Sequence, residues 1–168
     1  MSIPEREEPE TFVASFDEAR APLIAFEWNG RHGDEFRDEN AEFRRAVLEV
    51  VLAEPDRASV DLLRALFEAE TRYAKEAWGV HRDIHVLGQA LLVAGGEKVV
   101  FDFLRGKAQC FDTYLGCARV QLQGDLALRL AKRCRDEMSG ESASDLGPLA
   151  EQGAEFFEAL AARLESDS

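Results

Sequence analysis

The sequence predicts an all-α protein of about seven to eight short antiparallel helices, and three observations support this class. Apolar residues recur every three to four positions along most of the 168-residue chain, which is the spacing of one helix face. No segment alternates apolar and polar residues in the way that strands do. Ala, Leu, Glu and Arg, which are good helix formers, are abundant, whereas Pro occurs only 5 times.

The N-terminal part is predicted as a tail, one helix and a loop. Residues 1–10 carry five charges and two prolines, which predicts a flexible acidic tail. Helical spacing follows at Phe12, Phe16, Ala19 and Leu23. Because an interior proline removes a hydrogen bond and clashes with the preceding turn, Pro22 predicts that this helix ends near Arg20. The segment 23–28 is then either a short helix or extended, and Asn29-Gly30 with Gly33 indicates a loop.

Two longer helices are predicted next. The first stops before Pro55, and its apolar face consists of Phe36, Phe43, Val47, Val50 and Val51. Its polar face consists of Arg44, Arg45 and Glu49. The second is capped by Asp56 or Ser59, and its apolar stripe consists of Val60, Leu63, Phe67, Ala74 and Ala77. Trp78 is expected as a half-buried plug at the end of this helix, with Gly79 in the terminating position.

The C-terminal half is predicted as shorter helices separated by glycines and polar residues. Their inward residues are Ile84, Leu87, Leu91 and Leu92, then Val99, Val100, Phe103 and Leu104, then Phe111, Tyr114, Leu115 and Ala118, then Leu122, Leu126, Leu130 and Cys134. Residues 139–144 form a polar break. Pro148 is tolerated in the first turn of a last helix, whose apolar side includes Phe156, Phe157 and Leu160.

These helices are assigned to a single α-helical domain over residues 11–165, with a disordered end at 166–168. Within it, 60–94 and 97–138 are possible antiparallel pairs. A spacing of ~35–45 residues per pair resembles, in architecture, the helical pairs of HEAT-like or tetratricopeptide-like repeats. Because stacked repeats usually need at least ~3 units, an irregular helical bundle is the alternative.

The charge is acidic overall but unevenly distributed. The net charge is −13, with 15 acids and 6 bases in residues 1–56, a slight basic excess in 57–138, and 7 acids against 1 base in 139–168. This field repels nucleic acids and anionic lipid and attracts basic partners. The chain shows no signal-peptide pattern and no apolar run near ~20 residues, so we expect a cytoplasmic protein without a membrane partner. The 3 cysteines are expected to be reduced core thiols.

One pair of residues is a candidate for metal-binding chemistry. His81 and His85 are four residues apart, so on one helix both imidazoles would face the same metal, but the sequence offers no third ligand. Paired carboxylates such as Glu68 and Glu70 are interpreted as solvated helix faces. No phosphate-binding loop, nucleophile elbow or Glu-x-x-His motif is present. No cofactor is therefore expected.

Two groups of residues are candidates for binding. Arg129, Lys132 and Arg133 crowd one helix and form either a basic groove, a surface covered by the acidic segment 151–167, or an ordinary solvated face. Among the aromatics, Trp28, Trp78 and Phe101 are possible anchors for a partner. Phe101 lies off the apolar side of its helix, so it is predicted as the exposed aromatic.

The leading functional hypothesis is a non-catalytic protein-binding module, in its specific form an acidic inhibitor of immunity or antitoxin type that covers a basic toxin or nuclease. One alternative is a helical-repeat scaffold that binds a peptide in a groove. The other is a metal-binding enzyme or sensor that uses His81 and His85. The sequence leaves the oligomeric state open.

Overall fold

A computed structural model describes residues 7–140 and 144–167. Within these ranges the chain forms α-helices and short 3-10 helices, with no strand beyond one isolated antiparallel bridge between Trp28 and Asp38. The all-α prediction is confirmed. The α-helices are α1 Pro9–Ala14, α2 Ala41–Ala53, α3 Val60–Ala77, α4 Ile84–Gly95, α5 Val100–Lys107, α6 Phe111–Cys117, α7 Gly124–Met138 and α8 Gly147–Ser166. The 3-10 helices are Glu18–Leu23, Gly33–Glu35, Pro55–Arg57 and Gly96–Lys98.

The N-terminal segment differs from the prediction of one helix that ends near Arg20. Helix α1 ends at Ala14, where the hydroxyl of Ser15 donates to the carbonyl of Thr11 at 2.7 Å and competes with the backbone. Pro22 lies inside a separate 3-10 helix, and helix α2 begins at Ala41 rather than near Phe36. Helix α1 already begins at Pro9, and the other part of the predicted tail, residues 1–6, lies outside the described residues.

Helix α3 begins as predicted and ends differently. The Ser59 side chain accepts a hydrogen bond from the amide of Leu62 at 3.2 Å, so Ser59 is the cap. At the other end, Trp78 itself adopts the left-handed conformation, with φ 58° and ψ 41°. The expectation that Gly79 takes this position is wrong by one residue.

Helix α3 lies at the centre of the helix packing. Helix α3 contacts α4, α5 and α6, helix α5 reaches α8, and α7 packs mainly along α8. Taken as the pairs α3/α4, α5/α6 and α7/α8, these helices contact one another within a pair or between adjacent pairs, which fits both a repeat stack and an irregular bundle. The core between α3, α5 and α8 is aromatic, with rings in contact at Phe67, Phe103, Phe156 and Phe157.

Close helix packing depends on a glycine in α8. A Cβ atom at Gly153 would lie 2.5 Å from Leu104 Cδ1 and 2.8 Å from Cys134 Sγ, which leaves no room for a side chain. Helix α8 therefore lies closer to α5 and α7 than any larger residue would allow. Helix α8 continues to Ser166, into the predicted disordered end, and residue 168 is not described. Within the described ranges, no helix has both the length and the apolar character that crossing a membrane requires.

Candidate binding site

A buried ion triad joins α2, α3 and the loop between residues 24 and 40. Arg44 Nη2 donates to Asp38 Oδ2 and Arg44 Nε donates to Glu70 Oε1, each at 2.6 Å. The side chains of Arg44 and Asp38 are 0% exposed and that of Glu70 is 3% exposed. Burial opposes the charged form of Arg44, but the hydrogen bond to Asp38 and the charge of Glu70 outweigh it, so the pKa lies above its usual value.

The placement of this triad corrects two predictions. Arg44 was expected on the polar face of its helix and Glu70 on a solvated face, yet both are buried. The spacing of these charged residues from apolar residues in the sequence already indicates their burial. Arg44 lies three, four and seven residues from Val47, Leu48 and Val51, all of them buried, and Glu70 similarly lies within the buried stripe of α3. Two opposite charges within apolar stripes indicate a buried pair, because neither is stable there alone.

The triad also fixes the loop that precedes α2. The Oδ1 atom of Asp38 accepts the amides of Glu27 and Asn40, each at 3.1 Å. The side-chain amide of Asn40 donates to the carbonyls of Pro22 at 3.0 Å and Ala25 at 2.9 Å. The segment 23–28, predicted as either helical or extended, is therefore non-helical beyond Leu23 and is held by side-chain hydrogen bonds to the backbone.

The tip of this loop is a tight turn. Gly30 and Gly33 have φ values of 76° and 63°, which favour glycine. The side chain of Asn29 spans the turn, since its Nδ2 donates to the carbonyl of Glu35 at 2.7 Å and its Oδ1 accepts the amide of Arg37 at 3.2 Å. The indole of Trp28 donates to the carbonyl of Arg31 at 2.9 Å. The loop thus holds its aromatic side chains in fixed positions.

Aromatic rings from the loop meet α3 at Tyr73. Phe26 and Phe36 approach the Tyr73 ring edge to face, with centroid distances of 6.1 Å and 5.6 Å. The guanidinium groups of Arg44 and Arg45 lie over the same ring at 5.6 Å and 5.2 Å, and Arg45 donates to the Tyr73 hydroxyl at 2.8 Å. Contacts with the two arginines and with the aromatic rings of the loop therefore fix the orientation of the Tyr73 ring.

These elements form a cavity of about 490 Å³, here called the aromatic pocket, which is lined by His32, Gly33, Phe36, Tyr73, Glu76, Ala77 and Trp78. Glu76 is half-buried and, within the described ranges, has no ion-pair partner. Trp78 is 85% exposed, so the expectation of a half-buried plug is wrong. Its left-handed backbone turns the chain at the end of α3 and leaves the indole in solvent. The pocket therefore combines aromatic surfaces with an unpaired carboxylate.

The other predicted anchors lie elsewhere. Trp28 is half-buried beside the pocket, where it contacts His32 with a centroid distance of 5.0 Å. Phe101 was predicted to be exposed but is only 9% exposed, and the guanidinium of Arg133 lies 4.9 Å from its ring centroid. The side of α5 that carries Phe101 is covered because α7 packs near it. Phe101 is therefore part of the core.

The basic residues of α7 are neutralised within the molecule. Arg129 pairs with Glu97 at 3.4 Å, and Lys132 and Arg133 pair with acids one turn along their own helix at 2.8 Å and 2.9 Å. Arg135 pairs with Glu158 of α8. Among the described residues, this is the one ion pair between the basic residues of α7 and the acidic segment 151–167. The arrangement is that of a paired helix surface rather than an open basic groove.

The histidine pair does not form the predicted arrangement. Helix α4 begins at Ile84, so His81 lies in the preceding turn, where its Nδ1 accepts the amide of Asp83 at 3.1 Å. His81 lines a small cleft next to Tyr73, whereas His85 lines a different cleft with Arg119 and Arg163. The premise that both imidazoles share one helix face is wrong. In the part of the chain that the structure describes, no cluster of three or more His, Cys, Asp or Glu could hold a metal ion.

The three cysteines are free thiols, and two of them are fully buried. Burial raises the pKa of Cys117 to about 12 and that of Cys134 to about 11, which keeps both protonated at neutral pH. Cys110 is partly exposed and precedes α6. The buried pair behave as small apolar residues of the core.

The fold and the pocket define an all-α protein with an acid-bearing aromatic pocket. Comparison of the chain with protein-family models, with curated proteins and with solved structures finds no match.

Proposed function

We propose that this chain is a non-catalytic binding protein for a basic partner, and that the aromatic pocket receives a cationic side chain of that partner. The observation that carries the proposal is Trp78, which is 85% exposed at the edge of a pocket that also contains Glu76. An arginine guanidinium or lysine ammonium is the ligand chemistry that fits both an indole face and a carboxylate.

The pocket supplies two attractive contributions to a bound cation. The face of an aromatic ring attracts a cation by ~0.5–2 kcal/mol, and tryptophan is the strongest of the three aromatic residues in this respect. Phe36 and Tyr73 add further ring surface to the same cavity. The Glu76 carboxylate offers a charge-assisted hydrogen bond, which is stronger than a neutral one. Because Glu76 is half-buried, this interaction is screened less than one at the open surface.

The backbone at Trp78 supports a binding role. A bulky residue at φ 58° is strained relative to glycine, and an indole that is 85% exposed recovers little of this cost through packing. Strained positions of this kind concentrate at binding sites, where the conformation serves recognition. A glycine at position 78 would adopt this conformation at lower cost. The tryptophan at this position therefore suggests that the exposed indole has a role of its own.

The long-range field favours the same class of partner. With a net charge of −13, the chain attracts a positively charged protein and increases its association rate. In its specific form, the proposal is an inhibitor of immunity or antitoxin type that covers the basic cleft of a toxin or nuclease. That form is supported by the net charge and by the indole and carboxylate that the pocket presents.

A peptide experiment tests the pocket directly. Short acetylated and amidated peptides carrying a single arginine, lysine or citrulline are titrated into the protein at low salt, with binding measured by calorimetry and by indole fluorescence. Citrulline has the shape of arginine without its charge. We expect the arginine peptide to bind at least ~10-fold more tightly than the citrulline peptide, since one decade corresponds to about 1.4 kcal/mol.

Variants assign the binding to the pocket. Trp78→Ala and Glu76→Gln should each weaken the arginine peptide, whereas Glu42→Gln removes an exposed acid on α2 and serves as the matched charge control. A protein-level test repeats the comparison with basic proteins captured at low and high salt. Equal affinities for arginine and citrulline peptides, or unchanged binding by Trp78→Ala, would overturn the proposal. Capture that persists unchanged at high salt would instead favour an apolar groove.

A further inference from the structure

A second cavity lies where the end of α5 and the start of α6 meet α8. Its volume is about 770 Å³, and this lysine cleft is lined by Lys107, Ala108, Cys110, Phe111, Tyr114, Gln152, Glu155 and Phe156. None of these residues belongs to the aromatic pocket. The lysine cleft is therefore separate from the aromatic pocket.

Lys107 is a buried cation without a carboxylate partner. Its residue is only 7% exposed, and within residues 7–140 and 144–167 no acidic side chain lies within ion-pair distance of its ammonium. The Nζ atom instead lies 3.6 Å from the ring centroid of Tyr114 and 4.8 Å from that of Phe156. Burial lowers the pKa of this amine, because desolvation disfavours the charged form and only the nearby Cys117 thiol opposes it.

Such an ammonium is poised to accept an anion. Two aromatic faces offset part of the cost of removing the charge from water, but rings attract a cation less strongly than a hydrogen-bonded carboxylate does. Buried charges in proteins are usually paired, whereas this ammonium has no carboxylate partner among the described residues; its Nζ atom is not among the fully buried, unpartnered atoms and so remains accessible from the cleft. An anion that reached Nζ would supply that partner.

The walls of the cleft restrict the kind of anion. Phe111 is 72% exposed and Tyr114 is also exposed, so the opening presents apolar surface on α6. Lys107 is the cation among the residues that line the cavity, and the negative charge of Glu155 repels a multiply charged anion such as phosphate more strongly than a monocarboxylate. A ligand with one negative charge and an apolar body fits both features.

We propose that the lysine cleft binds a monocarboxylate carried on an apolar body, with the carboxylate at Lys107 and the body against Phe111 and Tyr114. Free aromatic or aliphatic acids and the C-terminus of a peptide ending in an apolar residue share this chemistry. The contact is a charge-assisted hydrogen bond in a partly desolvated setting. It is independent of the cation site at Trp78.

Two experimental arms separate the sources of the carboxylate. The first titrates 3-phenylpropionate against its amide, and the second titrates a short peptide ending in phenylalanine with a free carboxylate against the same peptide amidated. Calorimetry or saturation-transfer NMR measures binding, and inorganic phosphate is included as a multiply charged anion. We expect at least one carboxylate to bind ~10-fold more tightly than its amide, and phosphate to bind more weakly than either acid.

Variants decide whether Lys107 makes the contact. Lys107→Met keeps the length of the side chain without its charge and should abolish the preference for carboxylate over amide, whereas the exposed Lys98→Met should retain it. If Lys107→Met fails to fold, Phe111→Ser decides, since an exposed side chain is replaced and ligand affinity should still fall. Trp78→Ala should leave carboxylate binding unchanged, which separates this site from the aromatic pocket.

Three outcomes would overturn the proposal. They are equal affinity for acid and amide in both arms, phosphate bound as tightly as the acids, and full carboxylate preference in a folded Lys107→Met protein. Binding in the first arm alone identifies a small-molecule site, and binding in the second alone identifies a docking site for a chain terminus.

Discussion

Replacing Arg44 by methionine removes the cation of the buried triad and leaves two carboxylates without it. Methionine matches much of the length of the side chain, so the change isolates the charge and its hydrogen bonds. Asp38 and Glu70 would remain at 0% and 3% exposure, in surroundings that disfavour an unpaired charge.

The expected loss of stability is large for a single substitution. Removing one partner of a buried pair typically costs ~3–5 kcal/mol, because the remaining charge stays desolvated. Arg44 has two such partners, and its Nη1 atom also lies 3.5 Å and 3.4 Å from the carbonyls of Ile24 and Ala25. For a domain of this size, ~3–5 kcal/mol corresponds to a fall in Tm of roughly 6–20 °C.

Urea unfolding followed by far-ultraviolet circular dichroism measures the difference. The matched control is Arg72→Met on α3, whose pair with Glu68 has an N–O distance of 3.7 Å and is more than half exposed on both sides. A surface pair of this kind contributes ~0.2–1 kcal/mol, so Arg44→Met should lose several times more than Arg72→Met.

A double substitution tests the cause of the loss. Adding Glu70→Met to Arg44→Met removes one uncompensated charge and should restore part of the stability, with a coupling of ~0.5–3 kcal/mol. If Arg44→Met and Arg72→Met lost the same free energy, or if the double variant were less stable than the sum of its single changes, the buried-triad reasoning would be refuted.

Three further predictions concern strain, thiol reactivity and close packing. Trp78→Gly should leave the unfolding free energy unchanged or raise it by up to ~1 kcal/mol in urea unfolding, because glycine adopts the left-handed backbone without strain, whereas Trp78→Ala keeps that strain. At pH 8, Cys110 should be the thiol that reacts rapidly with Ellman's reagent. Burial raises the pKa of Cys117 to about 12 and that of Cys134 to about 11, so their reactive thiolates form only as the pH approaches those values. A Cys110→Ser protein that still reacts rapidly would contradict this. Gly153→Ala should cost ~1–3 kcal/mol of stability through overpacking, while Gly147→Ala, with no atom within 4 Å of the added carbon, should cost nothing measurable in the same assay.

Helices with a long apolar stripe could be predicted from the sequence because burial of that stripe is what makes them stable. In helices α3 and α7 the buried residues recur at helical spacing from Leu62 to Ala74 and from Leu126 to Cys134, and the periodicity of their sequence identifies them. The loop between residues 24 and 40 has no such period. It is held by side chains such as Asn29 and Asn40, which donate to carbonyls as many as 18 residues away, and such contacts leave no local pattern.

The candidate site was predicted only in part, for a related reason. Trp78 was named as a possible anchor, but its exposure depends on which residue at the end of α3 takes the left-handed conformation, and the adjacent glycine indicated the wrong one. Phe101 lies outside the main apolar side of its helix, and it is buried because α7 covers that side as well. A sequence pattern shows the widest buried face of a helix and misses a second face that a neighbour covers.

The two proposed sites lie in one acidic molecule and should therefore respond differently to salt. A net charge of −13 attracts the arginine peptide to Trp78 and repels the carboxylate from Lys107 at long range. Raising the ionic strength from about 0.01 M to about 0.1 M shortens the screening length from about 30 Å to about 10 Å, which weakens this field more than the contacts inside a cleft.

Arginine-peptide affinity should accordingly fall several-fold over that range, whereas carboxylate affinity should hold constant or rise. Calorimetric titrations of both ligands at the two salt concentrations measure this, with Lys98→Met and Glu42→Gln as proteins that shift the net charge by one unit without touching either cavity. A carboxylate that lost affinity in parallel with the arginine peptide would mean that its binding depends on exposed charge, which a lysine at 7% exposure does not provide.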